Sequence, residues 1–103
     1  MKREELPALA HLLEAYFHQD WSCDHGSPAA VLQAIIAHEP ADLIGTGIEE
    51  LTAMLARDLS EAELKTLLYG ALYVDYLPAA DGLSCAEWLK EVRDTFASAL
   101  ARR

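Results

Sequence analysis

The chain has 103 residues, 52% of them apolar and 24% charged. That makes one globular domain, large enough to bury a core without metal or disulfide support, and excludes a disordered polypeptide. Seventeen acidic residues against eight basic ones give a net charge of −9. Such a charge repels nucleic acid and anionic membrane and attracts a basic protein, though an acidic balance also serves solubility alone.

Four of the bases (Lys2, Arg3, Arg102 and Arg103) lie at the extreme ends, and from Glu4 to Glu63 twelve acids face the single base Arg57. No apolar run approaches the ~18 residues of a membrane span. Met1 to Pro7 carries two positive charges with no h-region behind them, so a cytoplasmic protein without a signal peptide is expected. Cys23 and Cys85 form no CxxC and are expected as free thiols, Cys85 as a small buried hydrophobe.

In chain order, Leu6, Leu9, Leu12, Leu13, Tyr16 and Phe17 recur at helical spacing and predict a first helix from Glu4 or Pro7 to Phe17. His18 to Gly26 reads as a polar connection. Ser27-Pro28 opens a second helix, serine at the N-cap and proline at the first helical position, and Pro40 ends it near His38. A third helix is expected from Ala41–Ile44 to about Asp58. Gly45 and Gly47 weaken its first turns, by ~1 kcal/mol each relative to alanine, and predict an irregular start.

Ser60-Glu61-Ala62-Glu63 is a capping box that opens a fourth helix ending near Leu72. Pro78 ahead of it predicts an extended segment from Asp75, and Asp81-Gly82 a turn. Ser84-Cys85-Ala86-Glu87 is a second capping box. The fifth helix behind it buries Cys85, Trp88, Leu89, Val92, Phe96 and Leu100. Five amphipathic helices without strand pairing make a compact all-α single-domain bundle over residues 1–103.

Tyr16, Phe17, His18, Gln19, Asp20 and Trp21 concentrate three aromatic and three polar side chains at the end of the first helix. The rings are expected in the core, met there by Trp88 and Phe96. Asp20 is expected to accept hydrogen bonds from local amides, the Trp21 indole or a tyrosine hydroxyl. This six-residue stretch resembles a motif of the immunity proteins of bacterial contact-dependent growth inhibition systems. Leu59-Ser60-Glu61-x-Glu63-Leu64, Tyr76-x-Pro78, Asp81-Gly82 and Trp88-Leu89 extend the resemblance over nearly the whole chain. The resemblance implies a small, non-catalytic cytoplasmic protein that binds and neutralises a cognate toxin domain, and it leaves the six-residue motif a structural role.

Exposed acids away from the core stripe are the candidates for contacting such a partner. They are Asp24 in the first connection, Glu39 and Asp42 around the second, and Glu49 and Glu50 beyond it, with Asp58, Glu61 and Glu63 as a second group. A merely solvated face is the alternative. A helical adaptor with an unrelated partner competes at the level of function.

The third possibility, a metal-dependent enzyme using His18, Asp20, Cys23 and His25, has suitable ligand types but no standard ligand spacing. Asp24 beside Cys23 disfavours a thiolate there. Gly45-Thr46-Gly47 lacks the further glycine and lysine of a phosphate loop. No cofactor is therefore expected; the sequence does not fix the oligomeric state, and a monomer is favoured.

Overall fold

The computed structural model describes residues 1–103. Its elements are α1 (Pro7–Leu9), α2 (Trp21–Asp24), α3 (Pro28–His38), α4 (Ala41–Ala56), α5 (Glu61–Lys65) and α6 (Cys85–Ala101). α1 runs on into a π-helical stretch, Ala10–Glu14, and α5 into another, Thr66–Ala71. Single 3₁₀ turns occupy Arg3–Glu5 and Pro78–Asp81. There is no strand, and five of the helical runs are long.

The local chemistry of the helix starts is as the sequence suggests. Ser27 Oγ accepts from the Ala30 amide at 3.1 Å. Both capping boxes are closed in each direction: Ser60 with Glu63 (3.0 and 3.1 Å) and Ser84 with Glu87 (2.9 and 3.1 Å). Those serine contacts hold the Glu63 and Glu87 carboxyls below the usual carboxylate range.

α4 and α6, the two longest helices, pack against each other and form the centre of the bundle. α1 lies on α4, while α3 and α5 lie on α6. Leu9, Leu12, Leu13, Ile35, Ile44, Leu51, Met54, Leu89, Val92 and Phe96 are wholly buried between them.

α4 is regular from Ala41, where an irregular start was expected. Gly47 is buried, and a Cβ there would stand 2.8 Å from Leu12 Cδ1. The missing side chain lets α1 come close, and the packing this permits outweighs the propensity loss of two glycines.

Three further boundaries differ. The first helix ends at Tyr16 and carries a π stretch, and Phe17, just past its end, still donates its amide to the Leu13 carbonyl while its side chain is wholly buried. The connection from His18 contains the one-turn helix α2, held by Asp24 and His25 amides donating to the Asp20 and Trp21 carbonyls. The chain leaves the helix before Asp75, because Tyr73 adopts a left-handed φ of 52° that turns it away, and the non-helical segment runs from there to Leu77. Gly82, at φ 75°, makes the turn after Asp81.

Candidate interaction surface

Phe17, with no exposed surface, is the hub of an aromatic cluster. Its ring centroid lies 5.8 Å from Trp21, 5.8 Å from Tyr76 and 5.3 Å from Trp88, the Trp88 contact being edge-on at 87°. Trp21–Tyr76 and Tyr76–Trp88 close the set at 5.7 and 5.0 Å. Three of these pairs (Phe17–Trp21, Phe17–Trp88 and Trp21–Tyr76) are edge-on, an arrangement that contributes ~0.5–1.5 kcal/mol each beyond the area buried.

Trp88 thus meets the motif as expected. Tyr76 takes the place expected for Phe96, which is buried elsewhere in the core. The reason is a backbone strap. The Asp75 amide donates to the Phe17 carbonyl at 2.8 Å, and the Trp21 indole N–H donates to the Asp75 carbonyl. These two bonds draw the segment from Tyr73 to Leu77 onto the motif, and Tyr76 with it.

The polar half of the motif differs in detail from expectation. The Asp20 side chain is exposed and accepts no hydrogen bond; its carbonyl receives the Cys23 amide at 3.0 Å. His18 Nδ1 accepts from the Asp20 amide at 3.1 Å, and Nε2 lies 3.3 Å from Asp24 Oδ2. This arrangement calls for the proton on Nε2. Gln19 is exposed. The Tyr16 hydroxyl donates to Glu39 Oε2 at 2.7 Å, and Tyr76 to Asp81 Oδ2 at 2.6 Å. Burial, and then the Glu39 carboxylate, pushes the Tyr16 hydroxyl up to about 12. Burial and Asp81 likewise raise Tyr76.

The five candidate contact acids fall into two kinds. Glu39 receives the Tyr16 hydroxyl and lies 3.1 Å from His11 Nε2. Glu50 accepts the Ala8 and Leu9 amides at 3.1 and 2.9 Å, capping the start of α1 from the side of α4. Both carboxylates hold the fold together. Asp42 and Glu49 are exposed on α4 and make no ion pair or side-chain hydrogen bond within the chain, while Asp24 is exposed beside His18. In the second group, Glu61 accepts the Cys85 amide through both oxygens at 3.0 Å and so joins the starts of α5 and α6. Asp58 is exposed.

His18, Asp20, Cys23 and His25 do not converge: no group of three or more His, Cys, Asp or Glu side chains is placed to hold a metal ion. Cys85 is buried, its thiol pushed up to about 11 by burial and Glu61, whereas Cys23 is exposed. An open cleft of about 330 Å³ between α3 and α6 has Tyr76 and Trp88 in its wall and the Asp81 and Glu91 carboxylates at its edge. Its lining contains no histidine, cysteine or lysine. No helix is long and apolar enough to cross a membrane.

A small all-α bundle of net charge −9, with Glu50, Glu61 and the capping serines tying its helix starts together and other carboxylates left exposed, has the architecture of a small helical binding protein. Comparison with known proteins defines it further. The family model described as CdiI immunity protein matches residues 5–96. A chain in the crystal structure of a CdiA-CT/CdiI complex from Y. kristensenii 33638 superposes with a TM-score of 0.86 at 30% identity, covering 92% of this chain and 96% of that one. No curated protein matches the chain. The chain therefore belongs to the CdiI immunity protein family, and it is an immunity protein of a contact-dependent growth inhibition system.

Proposed function

We propose that the chain acts as a monomer in the cytoplasm, where it binds the C-terminal toxin domain encoded with it and blocks that domain stoichiometrically, without catalysis of its own. The family match over residues 5–96 carries this reading. The partner we infer is basic. The net charge of −9 would accelerate its encounter at low salt. Asp42 and Glu49, exposed and unpaired on α4, supply carboxylates that such a partner can neutralise without dismantling internal bonds, and Asp24 at the end of α2 adds an exposed one whose only internal partner is His18. Glu39 and Glu50 are already engaged, by the Tyr16 hydroxyl and by the Ala8 and Leu9 amides, so neutralising them would compete with those bonds.

The test is a titration against the neighbouring toxin domain at two salt concentrations, together with protection of cells that express that toxin. Tight one-to-one binding, weakened by salt and by Asp42→Lys with Glu49→Lys, is the expected result. A chain that neither binds nor protects sinks the proposal.

A further inference from the structure

The two large hydrophobic side chains exposed on this protein both belong to one short segment. Tyr73 is 59% exposed and Leu77 51%. Between residues 72 and 78 the pattern alternates strictly: Leu72, Val74, Tyr76 and Pro78 are buried, while Tyr73, Asp75 and Leu77 are exposed. In extended backbone successive side chains point to opposite sides, which sets Asp75 and Leu77 outward together, and Tyr73, in its left-handed conformation at the start of the segment, is exposed beside them in sequence.

The segment is held firmly. Phe17 and Trp21 fix Asp75 through its amide and carbonyl, and the Val74 amide donates to the Leu68 carbonyl at 2.8 Å. Arg3 donates to the Ala71 carbonyl at 2.9 Å and lies 5.6 Å from the Tyr73 ring centroid.

Tyr73 occupies this position against its backbone preference. A left-handed φ of 52° is strained for a bulky residue, by ~1–3 kcal/mol, and glycine would relieve it. The ring stays mostly in solvent even with Arg3 beside it, so burial in this chain does not explain its presence. Asp75, between the two apolar side chains, has no cation within ion-pair distance in a chain that carries −9 overall.

From this exposure, and from an unpaired Asp75 in a family whose members act by binding a toxin, we propose that Tyr73, Asp75 and Leu77 form the centre of the toxin-binding surface. Tyr73 and Leu77 pack on apolar ground of the toxin domain, and Asp75 pairs with one of its lysine or arginine side chains. This rests on the immunity reading and names the part of the surface that supplies most of the affinity. Tyrosine is enriched among the few residues that dominate interfaces, and a segment clamped before binding loses little conformational entropy on docking.

The experiment measures binding of the cognate toxin domain to the full chain and to Tyr73→Gly, Tyr73→Phe, Leu77→Ser and Asp75→Lys, with the unfolding midpoint of each. Tyr73→Gly is expected to weaken binding roughly 10–100-fold while its midpoint stays level or rises, because glycine accepts the backbone. Tyr73→Phe is expected to retain binding. Leu77→Ser and Asp75→Lys are expected to weaken it with no loss of stability. Wild-type binding together with unchanged binding by all of the folded variants would overturn the surface alone. Failure of the wild-type chain to bind would overturn the immunity reading and this surface with it.

Discussion

Replacing each of the two glycines of α4 by alanine should move stability in opposite directions. Both lie in a helix, where alanine is favoured over glycine by ~1 kcal/mol. At Gly45 the added Cβ meets only Leu100 Cδ1, at 3.9 Å, an ordinary contact. Gly45→Ala should therefore stabilise by ~0.5–1 kcal/mol.

At Gly47 the Cβ would stand 2.8 Å from Leu12 Cδ1 and 3.8 Å from Leu9 Cδ2. Neither leucine has any exposed surface to swing into. Overpacking a filled core costs ~1–3 kcal/mol, which exceeds the propensity gain and leaves a net loss of up to ~2 kcal/mol. The two variants should differ by ~2 kcal/mol, or ~8–16 °C in Tm for a domain of this size. Urea unfolding followed by circular dichroism measures the difference, with an unchanged m-value as the sign that only stability has moved. Leu12→Ala supplies the control: the double variant with Gly47→Ala should lose less than the two single losses summed, since Leu12→Ala vacates the space the added methyl needs and that methyl fills part of the cavity. Equal stabilisation by the two alanines would refute the claim that α1 and α4 approach through Gly47.

Glu50→Ala removes the carboxylate that caps α1 and should destabilise the chain by ~1–2 kcal/mol in the same unfolding assay; a shift within error would show those amides content with water. The raised Tyr16 hydroxyl makes a prediction about alkaline pH. Its folded value of about 12 lies above the ordinary 10.0, so it contributes stability that is fully present below pH 10 and lost as pH rises toward 12. Chemical unfolding at stepped pH should show this decline, and Tyr16→Phe should make it shallower. Ser84→Ala breaks one capping box and should cost ~1 kcal/mol at neutral pH. Because Glu87 and Glu63 are held below the ordinary 4.5, their contribution is present above that pH and fades as pH falls below it. An acid branch in Ser84→Ala as steep as in the wild type would argue against the Glu87 share.

What could be read from the sequence was what acts over three or four residues. Ser27-Pro28, the Ser60 and Ser84 boxes and Pro40 fix helix ends through neighbours, so five helices and their order followed directly. The departures come from partners far away in sequence. Glu50 looks like any acid on an outer face until α1, some 41 residues earlier, presents two free amides to it. Glu39 likewise waits for Tyr16.

Tyr76 could not be chosen over Phe96 from apolarity. The bonds from Phe17 and Trp21 to Asp75 decide which ring arrives, and backbone pairing leaves no mark in composition. The alternation from Leu72 to Pro78 was hidden for a different reason. Tyr73 and Leu77 are as apolar as the residues they alternate with, so a period of two cannot be seen by hydrophobicity alone.

The unlike settings of the two thiols have a practical consequence for chemistry on this protein. Cys85 lies at 1% exposure, with a thiol held far from ionisation at neutral pH, whereas Cys23 faces solvent on α2. A maleimide dye added to the native chain should attach once, at Cys23, with no engineered cysteine and no substitution in the core. That label would sit two residues from Trp21, on the element that clamps Asp75. Its emission becomes a reporter of anything that docks along the Tyr73–Leu77 edge, and the second thiol, appearing only on denaturation, counts the fraction of molecules that have unfolded.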